Sequence, residues 1–310
     1  MAQRIKTGAD FSASDIPVGG WVDRWTPRWS RPYIRLARLD RPIGTWLLLF
    51  PCWWSIAMAY TGPGDAWLFA LFGIGAMVMR GAGCTFNDIV DRDFDARVAR
   101  TKNRPLPAGE VTVRQALAFL ALELAVGLAI LLSLNPFAIA VGAASLALVF
   151  TYPLTKRVTF WPQLVLGLTF NWGALLGWAA VRGDLAPPAV LLYIGGIFWT
   201  LGYDTIYAHQ DRRDDPAAGV KSSARALGLS SKPWLYAFYA AAVALFAAAG
   251  IDGGHRWPYF AGLGVGALQL LWQVRDVDID DPRDCLAKFR SNRLFSWLFL
   301  AGVLAGHAVP

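Results

Sequence analysis

Acidic side chains are few in this chain of 310 residues, 22 in all, and they are grouped. Four lie between Asp88 and Asp95, four between Asp204 and Asp215, and five between Asp276 and Asp284. In NDIVDRDFD (87–95) the carboxylates of Asp88, Asp91 and Asp95 recur at i, i+3 and i+7. On an α-helix that is one face, with Asn87 at its edge and Asp93 turned away. In YDTIYAHQDRRDD (203–215), Asp204, Asp211 and Asp215 recur at i, i+7 and i+11, a second stripe with Tyr207 and Asp214 beside it. Like charges at this spacing repel and are costly to desolvate, so a same-face triplet implies bound cations or raised pKa values. Oxygen-only ligands select hard divalent ions, and Mg²⁺ prefers to share its shell with water and substrate phosphate oxygens. Two such stripes suit a diphosphate held through Mg²⁺. One acidic cluster at a helix end is ordinarily a solvated cap; two with the same helical phase at equivalent positions favour the metal reading. DVDIDDPRD (276–284) forms no single stripe, because Pro282 interrupts any helix there, and it reads as a solvated loop.

Cations follow both stripes, as a diphosphate leaving group requires. TKNRPLPAG (101–109) places Lys102 and Arg104 before a Pro-rich turn able to fold back over the first cluster. Lys221 and Arg225 follow the second, and YPLTKR (152–157) adds Tyr152, Lys156 and Arg157. Lys102, Arg104 and Lys221 are the candidate diphosphate contacts.

The elements that position these groups are membrane spans. The chain is 55% hydrophobic and 16% charged, with a net charge of +7 and a mean hydropathy of +0.39, which excludes an ordinary soluble globule. Crossing a hydrocarbon core takes about 20 apolar residues. Nine segments qualify: 43–60, 66–87, 114–132, 136–153, 162–181, 187–208, 234–250, 257–273 and 293–308. Of the 29 Lys and Arg, 26 fall on one side of that arrangement, leaving Arg182 and Arg256 opposite and Arg80 within the second span. The resulting organisation is a cytoplasmic basic arm over 1–42, including a basic interfacial helix at RWSRPYIRLARLDR, and a single nine-helix domain over 43–310. The first 40 residues carry no apolar signal core and contain Asp10, Asp15, Asp23 and Asp40, which a mitochondrial transit peptide avoids. The expectation is a multi-pass protein of a bacterial inner membrane, N-terminus cytoplasmic and C-terminus periplasmic. Three scattered cysteines (Cys52, Cys84, Cys285) and three scattered histidines (His209, His255, His307) match no disulfide framework or zinc spacing, so any metal sits on oxygen.

Several long motifs in order carry a resemblance. NDxxDxxxD at Asn87 to Asp95, TxNRPLPxG at Thr101 to Gly109, YPLTKR at Tyr152 to Arg157 and GYDTxYAxxDxxDD at Gly202 to Asp215 resemble the UbiA superfamily of intramembrane prenyltransferases. RLDRPIG at Arg38 to Gly44 and FRSNR at Phe289 to Arg293 are similar to its ubiquinone-pathway branch. The resemblance implies an all-α bundle of nine transmembrane helices around a central cavity that opens laterally to lipid. It implies Mg²⁺ as cofactor, and as partners a polyprenyl diphosphate, 4-hydroxybenzoate and the lipid bilayer, with no nucleic acid. Metal and catalysis then fall to Asp88, Asp91, Asp95, Asp204, Asp211 and Asp215, with Asn87 a further metal ligand. Arg41, with Arg157 second, answers the benzoate carboxylate, and Tyr152, Tyr203 and Tyr207 shield or stabilise an allylic cation. Relatives acting on other aromatic or quinone-precursor acceptors share the clusters and the fold. A divalent-cation transporter is the rival from another class; it calls for carboxylates at the bilayer midplane, whereas these lie at one set of span ends.

Overall fold

The structure is a computed structural model that describes residues 16–17, 19–98, 101–149, 151, 158–212 and 221–308. Tyr152, Arg157 and Asp215, singled out above, lie outside the described residues. Those described form helices and turns and contain no strand. In chain order the α-helices are α1 (Trp21–Trp25), α2 (Arg31–Leu36), α3 (Ile43–Ala59), α4 (Trp67–Val90), α5 (Arg92–Asp95), α6 (Val113–Leu132) and α7 (Pro136–Ala144). They continue with α8 (Pro162–Phe170), α9 (Trp172–Arg182), α10 (Pro187–Ala208), α11 (Ser223–Leu227), α12 (Ser231–Asp252), α13 (Trp257–Asp276) and α14 (Pro282–Ala308).

Each of the nine apolar segments falls on helix in its described part. Among the described residues, five helical stretches are long and apolar enough to cross a membrane: Pro63–Val90, Val113–Leu132, Pro162–Arg182, Pro187–Ala208 and Ser223–Asp252. Ile43–Ala59 and Pro136–Val149 are apolar but shorter. Only 11% of the most apolar stretch of α6 is buried. Leu117, Leu122, Leu124 and Leu128 point outward from it, a surface that acyl chains solvate and water does not. The basic segment RWSRPYIRLARLDR (28–41), expected as an interfacial helix, is helical only over α2, Arg31–Leu36, with turns on either side.

The chain divides into two compact units, Met1–Pro42 with Met77–Leu128, and Ile43–Ala76 with Ala129–Pro310. In the first, buried Leu36, Leu106, Val111 and Ala116 pack with Tyr33, Ile89 and Phe119. This small core pins the 101–112 loop, and with it Arg104, beside the end of α4. In the second, α10 lies along α12, α13 along α14, and α3 along α9. Backbones touch where side chains vanish: a Cβ on Gly262 of α13 would stand 2.6 Å from the Cα of Gly302 on α14. Trp54, Trp199, Phe295 and Phe299 fill the centre, with Trp54 5.1 Å from Phe299 and 5.2 Å from Trp199 between ring centroids. The segment read as one span over 162–181 is broken at buried Asn171, whose amide donates to Gly167 O at 2.9 Å and to Thr200 Oγ1 at 2.8 Å.

Candidate active site

The first carboxylate cluster grows out of the way α4 ends. Negative side chains oppose the negative end of a helix dipole, and α4 stops at Val90, one residue before Asp91. Asp91 takes φ −93° and ψ 6° and stands at the N-cap position of α5, where acidic residues are favoured. The Asp91 N–H still donates to Asn87 O at 2.8 Å and the Asp95 N–H to Asp91 O at 2.8 Å, so the helical phase survives the break. Asp88 and Asp95 therefore share one side, as their spacing predicts, and exposed Asp93 turns away to pair with Arg92 at 2.9 Å.

The cations on this face are arginines. Arg38 Nη2 donates to Asp88 Oδ1 at 2.6 Å and Oδ2 at 2.8 Å. Arg104 Nη1 donates to Asp88 Oδ1 at 3.1 Å and to Asp95 Oδ2 at 2.9 Å. Asp88 is only 1% exposed, and Asp95 and Arg38 are buried. Thr101 Oγ1 donates to the Asp95 carbonyl at 2.9 Å, holding the loop that carries Arg104. Burial, partly offset by Arg104 and reinforced by Asp88, raises the Asp95 pKa above the usual carboxylate value. Arg104 is where its motif places it. Lys102 is exposed. Arg41 lies 3.7 Å from Asp40. In the sequence Arg38 stands in the basic arm and opens RLDRPIG, and nothing in spacing links it to a carboxylate fifty positions on. Glu123 was missed as well: a buried carboxylate of α6, it accepts from Thr85 Oγ1 at 3.0 Å.

The second cluster sits where α10 ends. That helix stops at Ala208, so Asp204 is helical and Asp211 lies in the turn beyond it, both half-buried. The expected i, i+7 stripe is thus split between helix and turn, again where acidic residues meet a helix C-terminus. His209, buried, contacts Ser231 Oγ at 2.9 Å, and burial with nearby Arg212 lowers its pKa to about 4 against the pull of Asp280. Arg212 donates to Asp280 Oδ1 at 2.8 Å, tying this turn to the 276–284 loop. That loop behaves as a capped turn: Asp284 and Asp278 accept from the N–H groups of Asp278 and Asp280, and Lys288 reaches Asp276 and Asp284. Tyr203 is packed in the aromatic core, 4.8 Å from Trp199, with its hydroxyl accepting from Thr200. Tyr207, half-buried, lies 4.5 Å from Phe289. Lys221 donates to Val158 O at 3.2 Å and lies over the Phe160 ring.

The donors available to a metal are carboxylate and amide oxygens, which fit Mg²⁺ in type. Among the described residues no group of three or more His, Cys, Asp or Glu side chains stands ready to hold a metal ion. A shell of one or two carboxylates completed by substrate phosphate and water fits this arrangement; an all-protein cage does not.

A profile of the UbiA prenyltransferase family matches residues 48–301, and the chain belongs to that family. It is 51% identical over 297 residues to the mitochondrial 4-hydroxybenzoate polyprenyltransferase of Arabidopsis thaliana, covering 94% of this chain and 73% of that protein. The Homo sapiens protein of the same description is 50% identical over 285 residues, 91% of this chain and 76% of its own length. Among solved structures, the apo form of a UbiA homolog from Aeropyrum pernix superposes with a TM-score of 0.67 at 25% identity, covering 85% of this chain and 96% of that one. A UbiA homolog from Archaeoglobus fulgidus bound to GPP and Mg²⁺ gives 0.63 at 18% identity, covering 90% and 100%. The fold is the all-α membrane fold of this family. The relatives overturn one expectation: both are mitochondrial, so the bacterial inner membrane is withdrawn. Charge asymmetry sorts loops to two sides of a bilayer and carries no information on whose bilayer it is.

Proposed function

We propose that this chain transfers a polyprenyl group from polyprenyl diphosphate to the ring carbon ortho to the hydroxyl of 4-hydroxybenzoate, in a Mg²⁺-dependent reaction within a membrane. The observation that carries this reading is identity of about half the residues, over nearly the whole chain, with enzymes of that description. Residues 43–310 form the catalytic domain and 1–42 a basic arm; the setting of the relatives points to a mitochondrial membrane.

Asn87, Asp91 and Asp95 would hold Mg²⁺ in one cluster, and Asp204, Asp211 and Asp215 in the other. When bound, the metal neutralises charge on the departing diphosphate. Arg104, with Lys102 and Lys221, adds fixed positive charge for the same oxygens, so the carbon–oxygen bond to diphosphate lengthens toward an allylic cation. The ring carbon attacks that cation, a carbon–carbon bond forms, and the ring proton passes to a carboxylate of the clusters. Arg41, with Arg157 second, receives the benzoate carboxylate. Tyr152, Tyr203 and Tyr207 keep water from the cation, Tyr203 from within the aromatic core. The donor tail lies among the apolar helices, where its transfer from lipid costs little.

Membranes carrying the protein, given Mg²⁺, a labelled polyprenyl diphosphate and a panel of aromatic acids, test this directly. Prenylated 4-hydroxybenzoate is the expected product. Product only from an acceptor without a carboxylate, or none at all, overturns the named reaction.

A further inference from the structure

Arg38 breaks a local rule. Its N–H donates to Arg35 O at 3.1 Å and the Leu39 N–H to Ile34 O at 3.0 Å, the hydrogen-bond pair that ends a helix on a left-handed residue. Glycine ordinarily fills that place, because the left-handed region crowds a Cβ. Here it is an arginine at φ 58°, the one non-glycine residue with positive φ among those described. A position whose backbone favours no side chain keeps a long charged one, so the explanation lies in what that side chain reaches.

It reaches Asp88, at 2.6 and 2.8 Å from one nitrogen, while the other donates to Arg35 O at 2.8 Å. Arg104 then joins Asp88 to Asp95 through a single nitrogen, at 3.1 and 2.9 Å. A carboxylate 1% exposed and gripped by two guanidiniums is already neutralised, and a metal entering its shell must first displace one of them. Asp91 lies between the two bridged residues, where the chain leaves α4 and enters α5. The bridge across that break sets the angle at which Asp91 and Asp95 are presented.

We propose that Asp88 is a positioning carboxylate outside the magnesium ligand set, and that Arg38, seated on its left-handed helix terminus, anchors it. This rests on the prenyl-transfer reading, but its decisive readout needs neither donor nor acceptor. Mn²⁺, standing in for Mg²⁺, is titrated by electron paramagnetic resonance into the full-length protein in detergent. Asp91→Asn, which removes a ligand oxygen, is expected to weaken Mn²⁺ binding at least about a hundredfold, and Asp88→Asn, which leaves the ligands in place, by about tenfold or less. Arg38→Gly retains a backbone suited to the left-handed terminus and removes only the side chain. Arg38→Gly, Asp88→Asn and the double variant are each expected to raise KM for the polyprenyl diphosphate by the same factor, about ten, with kcat changed less than about threefold. Three results overturn the proposal: Asp88→Asn weakening Mn²⁺ as much as Asp91→Asn, no saturable Mn²⁺ binding to the unaltered protein, or Arg38→Gly leaving KM at its original value. If Asp88→Asn does not fold, Arg38→Gly decides through KM. If the unaltered protein binds Mn²⁺ yet makes no prenylated product, the prenyl-transfer reading fails and the Mn²⁺ comparison still decides the ligand assignment.

Discussion

Asp88 and Asp95 are buried and shared between two arginines, whereas Asp204 and Asp211 are half-buried at the end of α10, beside an Arg212–Asp280 pair whose carboxylate is 52% exposed. The two clusters have the same residue type, and each begins at the C-terminal end of a long helix. They differ in how their charge is tolerated. In the first, low exposure makes each ion pair strong and each unpaired charge expensive, so the arginines are part of the architecture. In the second, solvent screens the visible pair, and the surroundings are aromatic, with Tyr203 and Tyr207 both against Phe289. Similar motifs thus carry different consequences for stability.

The largest effect tests what the clusters have in common. Asp91→Ala and Asp211→Ala are each expected to lower turnover by about three decades or more, because each removes metal-held stabilisation of the leaving group. Steady-state rates in membranes check this, and a loss confined to one variant separates the clusters in function as well as in structure. Next comes the difference between them. Arg104→Gln takes the guanidinium from buried Asp95 and one of two from Asp88, and is expected to cost about 3 kcal/mol of stability, while Arg212→Gln breaks an exposed pair worth less than about 1 kcal/mol. Thermal unfolding of both variants in one detergent reads the contrast, and equal shifts would break it. The smallest effect concerns His209, whose pKa is lowered to about 4 from 6.5. The unfolded chain takes up that proton first, so its contribution is full above pH about 6.5 and is lost as pH falls toward about 4. Unfolding midpoints between pH 7 and 4.5 are expected to fall less steeply in His209→Gln than in the unaltered protein.

Much of this was legible in residue order. Apolar runs marked the long helices, though not short α2 and α5, because in a membrane length and hydropathy leave few other options. The shared side of Asp88 and Asp95 followed from their spacing, and Arg104 from its motif. The helix breaks at Asp91 and after Ala208 did not, since periodicity counts residues and does not weigh carboxylates against a helix dipole. The break at Asn171 escaped for another reason: it depends on Thr200 and on Gly196, where a Cβ would lie 2.2 Å from Asn171 Oδ1. Arg38 was illegible because its partner is fifty positions away and its backbone is one a sequence rule assigns to glycine.

The central claim is that these carboxylates hold magnesium in order to hold diphosphate. Calorimetric titration of Mg²⁺ into the solubilised protein, with and without an unreactive thio-analogue of the prenyl diphosphate, tests it most directly. The account predicts that the analogue tightens Mg²⁺ binding at least about tenfold, and that Asp91→Ala and Asp211→Ala each remove that gain. Equal Mg²⁺ affinity in both titrations, as a simple ion pathway would give, contradicts it.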